Sequence, residues 1–267
     1  MENEKKTALV TGASSGIGLA LSKELARRGY PLFIVSNEEE KLAEAAGEIG
    51  RTYGVKVMYL FMDLAQKDSA QKLFDYCEAN AITVGILINN AGIFFFRDVA
   101  LTDPSLVETV LNLHVQTPAM LCRLFAEKMM RDHAQDHREN YIMNMASIAA
   151  WMMMPGITLY NSTKSFLRCY SRALRHETFE KGISITTVCP GAVATDLYKL
   201  SPRYRELGVR LGIMITPEHL ARRAIGRMFK KRAEYIPGFL LNRFFIFAVN
   251  AMPGILVRYI MKKVNKT

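Results

Sequence analysis

The chain has few cysteines, and their spacing excludes several kinds of site. Its 267 residues include 4 cysteines, which are Cys77, Cys122, Cys169 and Cys189. No two of them form the C-x-x-C pair of a zinc or redox site. Scattered cysteines are typical of reduced proteins, so we expect four buried free thiols in a cytoplasmic protein. His133 and His137 stand four residues apart in a polar segment without a third ligand, which favours a solvated helix end over a metal site.

Long uncharged apolar runs are also lacking. Four of the first six residues are charged, and no apolar signal-peptide region follows them. Residues 239–261 are strongly apolar, but Arg243, Pro253 and Arg258 interrupt them. A transmembrane helix needs about 20 residues without such interruptions. We therefore expect a cytoplasmic protein, with this segment as an amphipathic extension that packs in the core or between subunits, lies on a membrane surface, or covers the substrate.

Most of the chain lacks excess positive charge, which lies in its C-terminal quarter. The formal net charge is +10, and residues 1–200 sum to −1. Residues 201–267 hold 14 Lys and Arg against 3 acidic residues, a local charge of +11. A basic segment can bind nucleic acid, an anionic membrane or an acidic ligand, and charge alone does not choose among them. We retain peripheral membrane contact as one alternative and expect no nucleic-acid partner.

Strand-like and helix-like segments alternate along the first 237 residues. The short apolar runs cover residues 6–10, 31–35, 55–62, 86–88, 141–145, 183–188 and 233–237. This alternation predicts an α/β fold of the Rossmann type, a doubly wound parallel sheet of about seven strands with helices on both faces. We expect one catalytic domain over 1–237 and a basic C-terminal extension over 238–267. Residues 196–215 are expected to form an irregular, mobile loop at the substrate.

A glycine-rich turn follows the first strand and precedes a helix. Its glycines have the spacing G-x-x-x-G-x-G. Glycines let the backbone approach a pyrophosphate, and the free N–H groups of a helix N-terminus attract it. An ordinary tight turn is the alternative, but the position between strand and helix favours a phosphate cradle. Its candidate residues are Thr11, Gly12, Ser14, Ser15, Gly16, Ile17 and Gly18.

Neither an acid nor an arginine directly follows the second strand. An acid there accepts bonds from the ribose 2′-hydroxyl of NAD, and an arginine pairs with the 2′-phosphate of NADP. Here the two positions hold Ser36 and Asn37. Both can donate a hydrogen bond to a phosphate, although Glu38 follows closely. This favours NADP as the cofactor, with NAD as the alternative.

Tyr160 and Lys164 stand four residues apart in a segment with helical periodicity. Residues at this spacing share one face of a helix. A phenol has a pKa of about 10, and a nearby cation lowers it by stabilising the phenolate. Tyr160 is therefore a candidate acid or base, and Ser147, which follows a strand-like run, can direct its hydroxyl to the same point. A half-exposed helix face is the alternative reading of this pair alone.

The motifs together resemble the short-chain dehydrogenase/reductase family. The glycine turn, N-N-A-G at 89–92, Y-x-x-x-K at 160–164 and P-G-x-x-x-T at 190–195 follow the family's order over residues 7–237. The resemblance is to the single-domain branch, near hydroxysteroid dehydrogenases and 3-ketoacyl reductases. It implies an NAD(P)(H)-dependent oxidoreductase that interconverts a carbonyl and a secondary alcohol, as a homodimer or homotetramer. Hydride would pass between the nicotinamide and the carbonyl carbon.

The resemblance also implies roles for single residues. Tyr160 would transfer the proton, Ser147 would bond the substrate oxygen, and Lys164 would bind the ribose and lower the tyrosine pKa. Asn112 matches an asparagine that supports a water chain, with a buried structural asparagine as the alternative. Asp63 resembles a residue that contacts adenine, and capping of a helix from about residue 66 is its alternative role. The remaining cofactor contacts implied are Leu64, Asn90, Ala91, Gly92, Pro190, Gly191, Val193 and Thr195.

Aromatic and methionine residues follow two of the motifs. Residues 94–96 are all phenylalanine, and residues 151–154 read W-M-M-M. Family members line the substrate pocket at both places, and such a wall suits a steroid-like or fatty-acyl ligand. Core or subunit packing is the alternative. A catalytically silent nucleotide sensor or a peripheral membrane protein on the same fold is the rival function, and the complete set of four catalytic residues argues against the sensor.

Overall fold

Parallel strands form the central sheet of the computed structural model, which describes residues 5–198, 200–255 and 262. Within these residues the sheet has seven strands in the order β3-β2-β1-β4-β5-β6-β7, and every neighbouring pair is parallel. The strands are β1 (Thr7–Thr11), β2 (Leu32–Ser36), β3 (Val57–Phe61), β4 (Val84–Asn89), β5 (Asn140–Met145), β6 (Ile183–Val188) and β7 (Glu234–Tyr235). The predicted doubly wound Rossmann-type sheet is confirmed.

Nine α-helices lie among the described residues, and some of them cover the two faces of this sheet. The nine helices are α1 (Gly16–Arg27), α2 (Glu39–Tyr53), α3 (Ser69–Ala79), α4 (Pro104–Leu111), α5 (Thr117–Asp136), α6 (Thr158–Thr178), α7 (Pro202–Arg210), α8 (Pro217–Phe229) and α9 (Phe239–Asn250). On one face α1, α2 and α8 bury Leu21, Ile49 and Ile225 against the sheet. On the other, α3 and α5 bury Leu73 and Phe125. Both faces are therefore dry, as a parallel sheet requires.

The helix that follows Asp103 has a capped start but is not continuous. The Asp103 carboxylate accepts a 2.8 Å hydrogen bond from the Ser105 amide, and Pro104 takes the first helical position. A π-helical segment, Asn112–Gln116, then separates α4 from α5. An inserted π turn is rare and is often found at functional sites. The hydrophobic periodicity of the sequence did not reveal it.

Residues 196–215 are more ordered than the sequence predicts. They contain a 3-10 turn at Asp196–Tyr198 and the helix α7, which Pro202 begins. An ion pair of 2.7 Å between Arg205 and Asp196 joins the helix to the turn. The prediction of an irregular loop is therefore wrong for α7. No residue of α7 is fully buried, so hydrophobic periodicity carried little signal for it.

The cysteines and the histidine pair add two smaller findings. Cys169 on α6 is exposed, whereas the other three thiols are buried, so the prediction of four buried thiols is wrong for Cys169. The rings of His133 and His137 contact each other edge to face at the end of α5. Within the described part of the chain, no group of three or more His, Cys, Asp or Glu is placed to hold a metal ion.

The helix α9 makes hydrogen bonds to the rest of the protein through an asparagine side chain and exposes phenylalanine rings to solvent. The Asn250 side chain accepts a 2.9 Å hydrogen bond from the Met153 amide and donates one of 2.8 Å to the Trp151 carbonyl. In contrast, Phe244 is 69% and Phe247 is 71% exposed. Residues 256–261 and 263–267 of the predicted extension lie outside the described residues. No helix among the described residues is long and apolar enough to cross a membrane.

Candidate active site

A cleft of about 300 Å³ opens where β1 and β4 lie side by side and the strand order reverses. Ligands of open α/β sheets bind at such a switch point, beyond the carboxyl ends of the strands. The predicted site residues that line the cleft are Gly12, Ser14, Ser15, Gly16, Ile17, Gly18, Ser36, Asn37, Asp63, Leu64, Asn90, Ala91, Gly92, Ser147, Tyr160, Lys164, Pro190, Gly191, Val193 and Thr195. The fold thus brings together residues from seven separate stretches of the chain.

The glycine turn has the geometry of a phosphate cradle. Gly12 has a φ of +64°, and a Cβ atom on Gly18 would lie 2.0 Å from the Gly12 carbonyl oxygen. Only glycine therefore allows the turn after β1 to approach α1 this closely. Ser15, the residue before α1, makes no side-chain hydrogen bond to the first turn of that helix. The backbone amides of the first turn therefore stay available to an anion. The turn fits the diphosphate of a nicotinamide dinucleotide.

Thr11 supports this cradle from behind. Its hydroxyl oxygen accepts hydrogen bonds from the amides of Asn90 and Ala91, at 3.0 and 3.1 Å. The Asn90 side chain in turn donates to the carbonyls of Thr11 and Gly12. These contacts hold the N-N-A-G turn against the glycine turn. The structure therefore places Thr11 in the scaffold, and not at the cleft surface where the sequence predicted a cofactor contact.

Glu38 brings a carboxylate into the ribose end of the cleft. It accepts a 2.6 Å hydrogen bond from the Ser14 hydroxyl, which accepts one of 2.8 Å from Ser36. Lys41 pairs with the other carboxylate oxygen. The hydrogen bonds from Lys41 and Ser14 hold the pKa of Glu38 below its ordinary value. A charged carboxylate with its own counter-ion therefore stands beside Ser36 and Asn37.

Asp63 lies in the cleft wall and closes the turn after β3. Its carboxylate accepts hydrogen bonds from the Ala65 amide, at 3.0 Å, and from the Gln66 side chain, at 2.8 Å. The following helix α3 begins only at Ser69. The alternative role as the cap of that helix is therefore wrong, whereas a position at the cofactor cleft is compatible with the structure.

Ser147, Tyr160 and Lys164 meet at the inner end of the cleft. Ser147 follows β5, and the other two share one face of α6. The Lys164 Nζ atom donates a 2.9 Å hydrogen bond to the Met145 carbonyl and lies 5.6 Å from the centre of the Tyr160 ring. Phe94 packs edge to face on Tyr160, with 5.1 Å between ring centres. Three of the four predicted catalytic residues are thus brought together.

Burial shifts the proton affinity of two of these groups. It raises the pKa of the Tyr160 phenol well above its ordinary value; nearby Tyr198 adds to this, and a hydrogen bond with Ser147 opposes it. Burial lowers the pKa of Lys164 to about 8. The phenol therefore carries its proton at neutral pH. The Lys164 ammonium, which donates its hydrogen bond to Met145, does not offset this effect of burial on the pKa of Tyr160.

Asn112, the fourth predicted catalytic residue, does not line the cleft with the other three. Its side-chain amide donates a 3.1 Å hydrogen bond to the Ala65 carbonyl, which agrees with the alternative of a structural asparagine. His114, two residues further in the π-helical segment, packs edge to face on Tyr160 at 5.8 Å. His114 belongs to none of the sequence motifs and could not be identified from them. The one available signal was a histidine between two apolar residues, Leu113 and Val115.

The predicted aromatic wall is only partly at the cleft. Phe94 contacts both Tyr160 and Tyr198 there. Trp151 instead packs under the guanidinium of Arg168, 4.1 Å from its ring centre, and Met153 is 80% exposed. Tyr198, which the sequence analysis did not single out, belongs to the cleft wall.

The rim of the cleft also touches α9. A Cβ atom on Gly191 would lie 2.8 Å from the side-chain oxygen of Asn242. The Asn242 amide donates to the Pro237 carbonyl at 2.5 Å. Glycine at 191 therefore allows α9 to lie directly against a cleft-lining segment.

A buried polar network lies behind the cleft. The side chain of Asn89 on β4 donates to that of Asn144 on β5 at 2.8 Å, and Asn144 donates to Ser171 on α6 at 2.8 Å. The Cys122 thiol of α5 lies 3.3 Å from the Asn89 amide nitrogen. Burial raises the pKa of Cys122 to about 12. The network joins two strands and two helices directly beneath the reactive groups.

Residues 6–204 match the family model described as short chain dehydrogenase. The chain belongs to this family. The resemblance drawn from the motifs is therefore confirmed, and with it the oxidoreductase class and the use of NAD or NADP.

Two differently named enzymes are among the proteins to which this short-chain dehydrogenase is similar. Very-long-chain 3-oxoacyl-CoA reductase of Anas platyrhynchos is 31% identical over 267 residues, which cover 97% of this chain and 80% of the relative. The 17-beta-hydroxysteroid dehydrogenase type 3 of Mus musculus is 31% identical over 194 residues, 72% of this chain and 61% of the relative. Among solved structures, a short-chain dehydrogenase from Sphingobium yanoikuyae in complex with NADPH has a TM-score of 0.77, with 26% identity and 88% of each chain covered.

The cleft of this short-chain dehydrogenase can couple proton transfer to the reduction of a carbonyl. A nicotinamide dinucleotide, which the glycine turn fits, supplies the hydride when bound. Tyr160 holds its proton at neutral pH and can donate it to a substrate oxygen at the inner end of the cleft. Ser147 can donate a hydrogen bond to the same oxygen, and Lys164 keeps a buried positive charge beside them.

Proposed function

We propose that this short-chain dehydrogenase interconverts a ketone and a secondary alcohol on an apolar substrate of the steroid or fatty-acyl type. The observation that carries the proposal is the contact of Phe94 with both Tyr160 and Tyr198, because it puts apolar rings beside the proton donor. The names of the two relatives, a 3-oxoacyl-CoA reductase and a hydroxysteroid dehydrogenase, support the same substrate classes. Asn112 would then act as a structural residue, with the proton transfer left to Tyr160.

For the cofactor we propose NADP over NAD. Asn37 offers a hydrogen-bond donor at the ribose end of the cleft, whereas the Ser36 hydroxyl beside it donates to Ser14. The Sphingobium relative is described with NADPH. Glu38 would oppose a 2′-phosphate, but Lys41 is paired with its carboxylate and supplies a compensating positive charge. The cofactor-binding residues proposed from the sequence remain those that line the cleft, with Thr11 as support.

The test is a steady-state assay of purified protein with each reduced cofactor, followed through the absorbance of the nicotinamide. The substrates are a 3-oxoacyl thioester, a ketosteroid and acetone as a small polar control. We expect turnover of at least one of the two large ketones, a kcat/KM for it well above that for acetone, and a higher kcat/KM with NADPH. Faster turnover of acetone would contradict the proposed substrate class, and no turnover of any ketone would contradict the proposed reaction.

We further propose that residues 238–267 form an extension whose outer face rests on an anionic membrane surface. The exposed Leu241, Phe244 and Phe247 support this, since the asparagines of α9 make their hydrogen bonds inward. The local charge of +11 over residues 201–267 complements anionic lipid. A second copy would bring the same charge against it. The cytoplasmic location expected from the sequence would then include the membrane surface, and we expect any homodimer or homotetramer to form through other faces.

A further inference from the structure

His114 is a buried residue that contacts both the cleft wall, at Ile93, and the catalytic helix α6, at Thr163. It is 1% exposed and lies in the π-helical segment between α4 and α5. The proposed chemistry assigns it no step, yet its ring packs on Tyr160. A buried polar ring in such a place requires hydrogen-bond partners for both of its nitrogen atoms.

The hydrogen bonds of His114 determine which ring nitrogen carries the proton. The Ile93 amide, 2.9 Å from Nε2, can only donate, so Nε2 is the unprotonated acceptor. Nδ1 therefore carries the proton and donates it to the Thr163 hydroxyl, 3.1 Å away. Thr163 donates in turn to the Tyr160 carbonyl at 2.9 Å. A continuous chain of hydrogen bonds thus runs from Ile93 through the ring to the backbone of Tyr160.

The surroundings keep this ring neutral. Burial and the positive charge of Lys164 lower the pKa of His114 well below its ordinary value. A proton on Nε2 would also place the N–H group of the ring against the N–H group of Ile93, so that two hydrogen-bond donors would face each other. Because both nitrogens are bonded to protein groups, the ring has no free position from which to pass a proton between the cleft and solvent.

Both ends of the chain of hydrogen bonds belong to the active site. Gly92 and Ile93 line the cleft, and a Cβ atom on Gly92 would lie 3.0 Å from His114 Nε2. The glycine therefore allows the ring to approach the turn. At the other end the ring rests against the tyrosine that donates the proton. The His114 ring thus lies between the nucleotide side of the cleft and the Tyr160 phenol.

We propose that His114 is a positioning residue, a neutral clamp that fixes the turn of residues 90–93 relative to Tyr160 and takes no part in proton transfer. This rests on the proposed function only in taking Tyr160 as the proton donor. It predicts that the hydrogen bond to Ile93, and not the ability of the ring to titrate, is what the site needs.

Three substitutions separate these two properties. His114→Gln can place an amide oxygen near the position of Nε2 and keep an acceptor for Ile93 without a titratable group. His114→Asn reaches only the position of Nδ1, so it keeps a donor for Thr163 and leaves the Ile93 amide unpaired. His114→Ala removes both bonds, and His176→Gln, at an exposed position of α6, is the matched control.

The measurements are the NADPH dissociation constant of the nucleotide-free protein, hydrogen exchange at the Ile93 amide, and the pH profile of kcat/KM. We expect His114→Asn to bind NADPH about tenfold more weakly, as loss of one buried hydrogen bond implies, and to exchange the Ile93 amide faster. His114→Gln should restore native affinity and slow exchange, with the pH profile unchanged. Even if His114→Ala does not fold, the other two variants decide the matter.

The clamp is overturned if His114→Gln binds NADPH as weakly as His114→Asn, or if both bind as tightly as the native protein. It is also overturned if the pH profile of His114→Gln shifts, because the imidazole would then titrate in the reaction. Binding and exchange do not need turnover. A failure to reduce any ketone would therefore count against the proposed function and leave these two measurements to decide the role of His114.

Discussion

Lys164 donates a hydrogen bond of 2.9 Å to the carbonyl oxygen of Met145, the last residue of β5. This bond ties the catalytic helix to the strand that precedes Ser147. It also holds an ammonium group in a buried position, where burial lowers its pKa from the ordinary 10.5 to about 8. At pH 7 the group is charged, and the folded state without nucleotide bears the free-energy cost of that buried charge.

Lys164→Met is therefore expected to stabilise the nucleotide-free protein while it removes turnover. The shift of pKa corresponds to about 3 kcal/mol against the charged form, and loss of the bond to Met145 offsets part of it. A net gain of about 1 to 2 kcal/mol would raise the melting temperature by several degrees. Thermal unfolding at pH 7 measures this, with the exposed Lys181→Met as the control.

The stabilisation by Lys164→Met should depend on pH. Between about pH 8 and pH 10.5 the folded native protein binds fewer protons at this site than the unfolded chain, so its stability rises with pH there. The advantage of the variant is thus largest below pH 8 and disappears toward pH 10.5. An advantage of the same size at pH 7 and pH 10 would show that burial of the charge is not its cause.

Tyr160→Phe should retain nucleotide binding and lose catalysis. The ring contacts with Phe94 and His114 need no hydroxyl, whereas proton donation does. Loss of a positioned acid lowers kcat by about 10²- to 10⁴-fold. The measurement pairs kcat with the thermal shift at saturating NADPH, where a ligand at 100 times its Kd adds about 2.7 kcal/mol. Turnover near the native rate would remove Tyr160 from the mechanism.

Glu38→Gln should increase the preference for NADPH over NADH. The substitution keeps an acceptor for the Ser14 hydroxyl, removes the negative charge and leaves Lys41 without its partner. We expect the ratio of the NADPH and NADH Kd values to change by about tenfold, or ~1.4 kcal/mol. Glu39→Gln, one residue further at an exposed position, makes the same change of charge outside the cleft. An equal effect of both variants would indicate a general change of charge and not a local one.

Serine in place of Phe244 and Phe247 should weaken binding to anionic vesicles. Both rings are largely exposed on α9, and apolar area placed in a lipid interface contributes about 25 cal/mol for each Å². Co-sedimentation with phosphatidylserine vesicles measures this at low and high salt. Phe61→Ser, exposed on the edge strand β3, is the control. If the native protein stays in the supernatant, membrane contact is excluded; an increase in oligomer size that depends on α9 would assign the face to a second copy.

The cleft could be predicted from the sequence because its motifs depend on local spacing. Gly12 and Gly18 follow a strand directly, and Tyr160 and Lys164 are one helical turn apart, so short-range geometry places them. Asn112 and His114 lie in a π-helical segment. The extra residue of such a segment rotates all later side chains by about 100°. Hydrophobic periodicity does not reveal this rotation, and only long-range contacts identify His114.

Other differences have a similar physical origin. Thr11 precedes the cradle in sequence, but its hydroxyl is directed at amides 79 and 80 residues away. Spacing carries no information about such contacts. The helix α7 buries none of its residues completely, so the pattern that identifies a helix packed on a core was weak there.

The asparagines beneath the cleft also decide what a pH titration of this enzyme can report. The side chains of Asn89, Asn144 and Ser171 do not ionise in water, and burial holds the pKa of Cys122 at about 12. This buried network therefore keeps a constant charge across the whole pH range in which activity is measured. Any inflection below pH 10 in the profile of kcat/KM then comes from groups outside this buried network, and Lys164 is the first of them to examine. The buried network therefore supports the reacting groups without changing its own charge.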